Sequence, residues 1–294
     1  MTENNIRVKS GYSLKNIKEY AYKKHIGSKM LKVLVWSAAI IAISIIVALI
    51  GYIVIKGVPN LKPSLFEWEY NSENVSMLPA ILNTLEMTAI TLLISIPIGV
   101  FSAVYMVEYA KRGSKLTRLV RITSETLQGI PSIVYGLFGY ILFVLTLGWQ
   151  FSMIAGVITL SIMILPLIMR TTEEALLSVP DSYREGSFGL GAGKLRTVMR
   201  VVLPNAVPGI FAGIILAMGR VVGETAALIY TAGTGTNFTG NVTGSSRTLA
   251  VHLYCLYNEG LYTDEAYATA FVLLIIVVGI NALSAFVAKK LTKK

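Results

Sequence analysis

Charge is scarce in this chain, and so are the side chains that usually carry chemistry. Only 14% of its residues are charged, one is cysteine and two are histidine. The single thiol, Cys255, cannot close an internal disulfide, and without a second Cys or a His beside it no metal site forms; it reads as a small buried thiol that leaves the redox compartment open. His25 lies in the N-terminal tail and His252 in a region between apolar runs, with no nucleophile and base grouped around either, which argues against an enzyme. No internal repeat or long low-complexity segment is present. What the chain has in place of these is apolar surface: 54% of its 294 residues are hydrophobic and the mean hydropathy is +0.65. Soluble domains do not carry that excess, so this is an integral membrane protein.

Six apolar runs approach the roughly 20 residues that cross about 30 Å of hydrocarbon. They cover 31–56, 79–106, 126–148, 151–170, 206–230 and 266–288. The fold class expected is therefore an all-α, polytopic membrane protein with six transmembrane helices. The first thirty residues are polar and basic, and the run after them is too long for the apolar part of a signal peptide, so the first span is expected to remain as an anchor.

The net charge of +10 matters through its distribution, not as a nucleic-acid signal. Eight Lys or Arg fall in the tail through Lys32, five in 107–122, five in 170–204 and four after 288, whereas the opposite side has only Lys56, Lys62 and Arg247. Positive residues stay on the cytoplasmic side, so both termini should be cytoplasmic and the loops 57–78 and 231–264 should face outward. The domain expectation is a tail over 1–30 and a permease domain over 31–290. The stretch Ser13 to Met30 suits a helix lying along the inner surface before turning into the bilayer, or else a disordered basic tail. The glycosylation patterns at Asn74, Asn237 and Asn241 read as chance matches in a loop rich in Asn, Thr and Gly.

The 171–205 connection is too long for a simple hairpin. Asp181 or Ser182 is placed to cap a helix from Tyr183 to Phe188, and Gly189, Gly191 and Gly193 break it. A second amphipathic piece runs from Leu195 to Val202 before Pro204 resets the chain. The string "GLGAGK" is not a phosphate loop, because Phe188 stands where the first glycine is required and Leu195 where the magnesium-binding hydroxyl is required.

The run Glu185-Gly186-Ser187, three residues, Gly191, nine residues, Val201-x-Leu203-Pro204 resembles the "EAA" signature of ABC importer permeases, with Gly186 and Ser187 replacing two alanines and Val201 replacing isoleucine. Two further strings, "GIPSIVYGLFGY" at 129–140 and "AMGRVVGETAALIYTAG" at 217–233, resemble phosphate-specific importer permeases of the PstA type, and the likeness covers the chain from about residue 79. The resemblance implies the type I ABC importer architecture. It makes Arg184, Glu185, Gly191, Leu203 and Pro204 parts of a coupling helix region that docks on an ATPase. It also implies a complex of this chain with a homologous permease, two ATPase subunits and an extracytoplasmic phosphate-binding protein in the cell membrane. ATP and Mg would be bound by the ATPase partners, leaving no cofactor or metal in this chain.

Within the fifth run stands Arg220, four residues before Glu224. An arginine at the bilayer centre costs at least about 2.5 kcal/mol, so it faces a protein interior or a wet pathway and has a partner. One reading is an i,i+4 ion pair that holds helices together. The other is a phosphate pathway, since a guanidinium fork matches phosphate oxygens and Glu224 would neutralise it when the pathway is empty. Arg170, at the cytoplasmic end of the fourth run, is a second pathway candidate, or a boundary residue set by orientation alone. Thr225 and Ser132 are candidate hydroxyl donors and Glu86 a candidate counter-charge, each of which also serves as a helix contact. Gly209-xxx-Gly213 and Gly219-xxx-Gly223 allow close helix approach, and the helix they meet is expected in the homologous permease. The competing readings are the same permease carrying molybdate, sulfate or a phosphonate, and a membrane enzyme or sensor centred on Arg220 and Glu224.

Overall fold

The computed structural model describes residues 14–111, 113–238 and 240–292, with side chains described for 28–111, 113–238, 240–286 and 290. Every regular element among them is helical. The chain divides into two compact units, Met1–Ile55 and Lys56–Lys294.

Most of the first unit is α1, Leu14–Gly57. At 1.5 Å per residue its 44 residues reach about 66 Å, twice the hydrocarbon thickness, so its basic N-terminal half extends outside the bilayer. No turn separates an interfacial helix from the span, contrary to the expectation for Ser13 to Met30. The segment has no proline, and its one internal glycine before the span, Gly27, costs only about 1 kcal/mol in a helix. Its apolar side chains from Met30 to Ile50 are exposed on all sides, as suits lipid.

The second unit is built around α5, Met153–Leu177, which packs between α2, Leu78–Val104, and α8, Leu203–Val222. Leu160, Met163, Ile164 and Ile168 of α5 are fully buried in this core. Close approach is licensed by small residues: a Cβ at Gly99 of α2 would stand 2.7 Å from Ile168, and one at Gly209 of α8 would stand 2.6 Å from Ala175. Gly213 lies equally tightly against Thr171. The Gly209/Gly213 pair therefore meets α5 of its own chain and not a second permease, because the fourth and fifth spans are neighbours in this fold. A Cβ at Gly219 would meet no neighbouring atom within 4 Å.

Among the described residues five helices are long and apolar enough to cross a membrane: Ser28–Asn60, Leu78–Tyr109, Met153–Leu177, Lys194–Val222 and Thr263–Phe286. The third expected span, 126–148, falls across a bent pair. Amphipathic α3, Lys115–Gln128, turns by 103° into the helix Ser132–Thr146, whose first part is α4, Ser132–Gly139. Pro131 explains the corner: its ring disfavours helical backbone at Ile130, and Gly129 supplies no side chain to resist the turn. The Tyr135 hydroxyl then donates to Leu127 O at 2.9 Å across the bend.

On the side of the unit that carries the loops 57–78 and 231–264, α10, Leu249–Glu259, and the start of α11, Thr263–Thr292, enclose Leu65, Val75 and Met77. Asn74 is buried there and donates to Glu67 Oε2 at 2.8 Å, which excludes it as a glycosylation acceptor in the folded chain. Cys255, expected as a small buried thiol, is free and half-buried.

Candidate functional site

Two places gather the residues singled out in the sequence. The first begins where α5 ends. Leu177 is followed by a tight turn to Pro180, which stands at the N-cap of α6, Asp181–Gly189. Neither Asp181 nor Ser182 caps this helix. Asp181 lies within its first turn, where a carboxylate meets the positive end of the helix dipole, and accepts from Arg184 Nη1 at 3.2 Å.

Arg184 uses all five of its N–H donors. Nε and Nη2 donate to Glu108 Oε1 at 3.0 and 2.8 Å, Nη2 also reaches Leu176 O at 2.9 Å, and Nη1 donates to Val179 O at 2.7 Å besides Asp181. One guanidinium thus satisfies free carbonyls at the end of α5 and ties α6 to the π-turn Tyr105–Tyr109 that ends α2. The Arg184 and Glu108 side chains are only 14% and 8% exposed. Glu108 escaped the sequence reading, since its signal is a carboxylate near the end of an apolar run, which by itself is ordinary.

Gly191 ends α6 in a Schellman arrangement. Its φ is +80°, its N–H donates to Phe188 O at 2.9 Å, and Ala192 N donates to Ser187 O at 3.1 Å. The hairpin is closed by a 2.8 Å hydrogen bond between the hydroxyls of Ser187 and Thr197. The helix that follows does not restart at Pro204: α7, Lys194–Thr197, passes through a π-turn, Val198–Val202, directly into α8. The wider turn takes up the crowding that the proline ring imposes on the carbonyl four residues back. Leu203 packs on the buried cluster of Val198, Val202 and Ala206, and Pro204 is exposed. Glu185 is exposed, as are Tyr183, Phe188 and Leu190, the last at 91%.

The second place answers why Arg220 and Glu224 interrupt an apolar run. The run is not one helix: α8 ends at Val222 with Gly223 as C-cap, and a short helix, α9, runs from Ala226 to Thr231. Arg220 occupies the last turn of α8, the negative end of its dipole. Glu224 is buried, and its Oε1 accepts from Ala227 N at 3.1 Å, satisfying a free donor in the first turn of α9. Each charge sits at the helix end that favours it. No ion pair joins them, so the expected i,i+4 contact is absent, because the helical turn that would have aligned them is broken at Gly223. Arg220 makes no hydrogen bond or ion pair among the described residues and lies within electrostatic reach of the Tyr135 hydroxyl. Thr225 is the N-cap residue of α9; its hydroxyl donates to Gly223 O at 3.4 Å and does not cap the helix.

Arg170 stands apart from this break. Its Nε donates to Glu174 Oε1 at 3.1 Å and its Nη1 lies 3.9 Å from Glu125, while Arg121 pairs with Glu173. These crossed pairs, with Gln128 donating to Pro166 O at 3.2 Å, clamp α3 against α5. The helix continues past Arg170 to Leu177, so Arg170 is interior to α5 and not at its end. Ser132 opens α4, and Glu86 keeps one buried carboxylate oxygen without a hydrogen-bond partner.

Arg247, which entered the sequence reading only as a count, is buried and stacks over Tyr70 at 4.5 Å from the ring centroid. His252 beside it is fully buried, and that burial, reinforced by the Arg247 charge, holds its pKa down at about 3.

The chain matches the family described as the binding-protein-dependent transport system inner membrane component over residues 95–294. A probable ABC transporter permease protein, YqgI of Bacillus subtilis, is 39% identical over 247 residues, covering 77% of this chain and 82% of that protein. Phosphate transport system permease proteins are also similar. PstA 1 of Mycobacterium tuberculosis is 36% identical, with 71% and 69% covered, and PstA of Haemophilus influenzae is 31% identical, with 85% and 87% covered. Among solved structures, a bacterial alginate ABC transporter in complex with an alginate-bound periplasmic protein superposes with a TM-score of 0.64 at 16% identity, covering 94% of this chain and 98% of that one. The inward-facing MetNI methionine ABC transporter superposes with a TM-score of 0.58 at 22% identity, covering 74% and 96%. At those identities the two structures bear on the fold alone.

Proposed function

This chain belongs to the family of binding-protein-dependent transport system inner membrane components, and we propose that it is the PstA-type membrane subunit of an ATP-driven importer of inorganic phosphate. The substrate is supported by several relatives named as phosphate transport permeases that align with most of the chain. The chain carries out no covalent step. Its partners in this reading are a homologous permease, two ATPase subunits that bind ATP and Mg, and an extracytoplasmic phosphate-binding protein; both of its own termini are cytoplasmic.

The observation that carries the pathway is the break between α8 and α9, with Arg220 free of any ion-pair partner among the described residues and Glu224 held one turn away by Ala227 N. Broken helices at membrane depth are tolerated where they line a cavity or meet another protein surface. The face of α8 at Gly219, where a Cβ would meet no atom within 4 Å among the described residues, is the one offered to the second permease. In the pathway the Arg220 guanidinium orients the dianion, and the fixed Glu224 carboxylate limits how tightly it is held. Thr225 adds a hydroxyl at the same break. Arg170, held by carboxylates in this conformation, joins the pathway only if α3 and α5 separate. At the cytoplasmic side α6 presents Glu185, Phe188 and Leu190 to the ATPase, positioned by Arg184, Gly191, Leu203 and Pro204.

Uptake of radiolabelled phosphate by membranes carrying Arg220→Gln tests this reading. Uptake should be lost while the complex assembles at normal abundance, and wild-type uptake should resist competition by sulfate and molybdate. Near-normal uptake by the variant removes Arg220 from the pathway, and strong competition reassigns the substrate.

A further inference from the structure

A cavity of about 910 Å³ opens between the end of α2, the start of α3 and the α5–α6 turn. Five cations line it: Lys111, Arg118, Arg121, Arg184 and Lys194. Its two carboxylates, Glu108 and Asp181, are both engaged by Arg184, and Arg121 is engaged by Glu173. Lys194 lies over the Tyr109 ring at 5.1 Å, and Lys111 and Arg118 have no carboxylate partner among the described residues. The cavity therefore holds uncompensated positive charge, with the Ser114 and Thr117 hydroxyls on the same wall.

Beside it runs a second hollow of about 450 Å³ lined chiefly by Phe101, Tyr105, Leu116, Val120 and Met169. The two share Met106 and Thr117 in their linings, so the apolar groove adjoins the basic cavity. Helix α3, between them, turns 103° from the helix that follows and exposes Leu116, Leu119 and Ile122 beside Lys115 and Arg118. If the helix after the bend crosses the bilayer, α3 lies near the membrane plane, its apolar side chains toward the acyl region and its basic ones toward the headgroups.

We propose that this composite hollow binds one anionic glycerophospholipid of the cytoplasmic leaflet, its phosphate in the basic cavity near Lys111 and Arg118 and an acyl chain along the Phe101 to Val120 groove. A free anion would use the first hollow and leave the second unexplained; a zwitterionic lipid would leave the surplus charge unmatched. Because Arg184 lies on the cavity wall, the lipid would rest against the residue that positions α6. The inference goes beyond the transport reading and stands whatever ion is carried.

Native mass spectrometry of the protein, purified in whichever assembly its membrane yields, tests the site with phosphatidylglycerol and phosphatidylcholine of identical acyl chains. Phosphatidylglycerol should be retained preferentially. Lys111→Gln and Arg118→Gln should each lower that retention about five-fold, the equivalent of about 1 kcal/mol per cation near an anionic surface, with the melting temperature in phosphatidylcholine unchanged. Leu116→Ser should weaken retention of both lipids. Equal retention of the two lipids, displacement of phosphatidylglycerol by inorganic phosphate alone, or retention unaffected by the Lys111 and Arg118 variants would overturn the proposal. The uptake assay on Arg220→Gln fails or succeeds independently of these results.

Discussion

Arg184 and Glu108 are 76 positions apart and share two hydrogen bonds, at 3.0 and 2.8 Å, to a single carboxylate oxygen. That contact fixes α6 against the end of α2, so the α6–α7 hairpin is held by α2 as well as by the helix it follows.

Removing one side of this pair should release the hairpin. Arg184→Gln leaves the buried Glu108 carboxylate without its partner, which costs about 3–5 kcal/mol, whereas Glu108→Gln leaves Arg184 paired with Asp181; both should reduce co-purification of the ATPase and lower uptake, Arg184→Gln the more. Arg184→Lys should not rescue, because an ammonium cannot reproduce the five-donor fork. Wild-type co-purification in Glu108→Gln would show that α6 is positioned by other contacts.

Gly191 and Gly189 offer a matched comparison. A Cβ at either position meets open space, but only Gly191 has positive φ, at +80°. Gly191→Ala should cost about 1–2 kcal/mol through backbone strain, and Gly189→Ala should be neutral or slightly stabilising. The thermal midpoint and ATPase retention of the two variants measure this difference; equal behaviour would mean that the Schellman turn is not required.

Glu224 combines a cap with a charge, and two substitutions separate them. In Glu224→Gln the amide oxygen can still accept from Ala227 N, so assembly and thermal midpoint should stay near wild type while phosphate uptake falls. Glu224→Ala removes the acceptor too and should lose about 1 kcal/mol more stability. Uptake preserved in Glu224→Gln would limit Glu224 to its capping role.

His252 makes stability depend on pH. Its folded-state pKa is about 3 against an ordinary 6.5, so below about pH 6.5 the unfolded chain takes a proton that the folded chain refuses. Stability should be flat above that pH and fall by up to about 1.4 kcal/mol per unit as the pH drops toward 3. Thermal midpoints measured from neutral to acid pH should show this slope in wild type and a shallower one in His252→Gln; identical slopes would remove His252 as the source.

Hydropathy alone located α2, α5 and α11 to within a few residues at their outer ends, because an unbroken apolar stretch of that length has few alternatives in a membrane. It failed where a helix breaks inside an apolar run. Gly129 with Pro131 and Gly223 were visible signals, but hydropathy averages over them, and 126–148 and 206–230 therefore read as single spans. Glycine spacing located a close helix contact at Gly209 and Gly213, but the helix expected on the other side, one of a homologous permease, is instead α5 of the same chain, because spacing carries no information about the partner. The turn at Gly191 was legible because its signal, a glycine just past a short helical stretch, is local. The Glu108 contact was not, since a 76-residue separation leaves no periodic trace. Arg220 and Glu224 were found by their cost in hydrocarbon; their placement at two helix ends required the fold.

The continuous helix from Lys194 to Val222 turns the α6–α7 hairpin and Arg220 into the two ends of one lever. Its 29 residues reach about 43 Å, so a tilt of about 10° about one end carries the other through roughly 7 Å. That sweep exceeds the length of a guanidinium hydrogen bond more than twofold. A modest rotation where α6 and α7 meet would therefore be enough to bring Arg220 into reach of an ion or withdraw it, with no change in the helix itself.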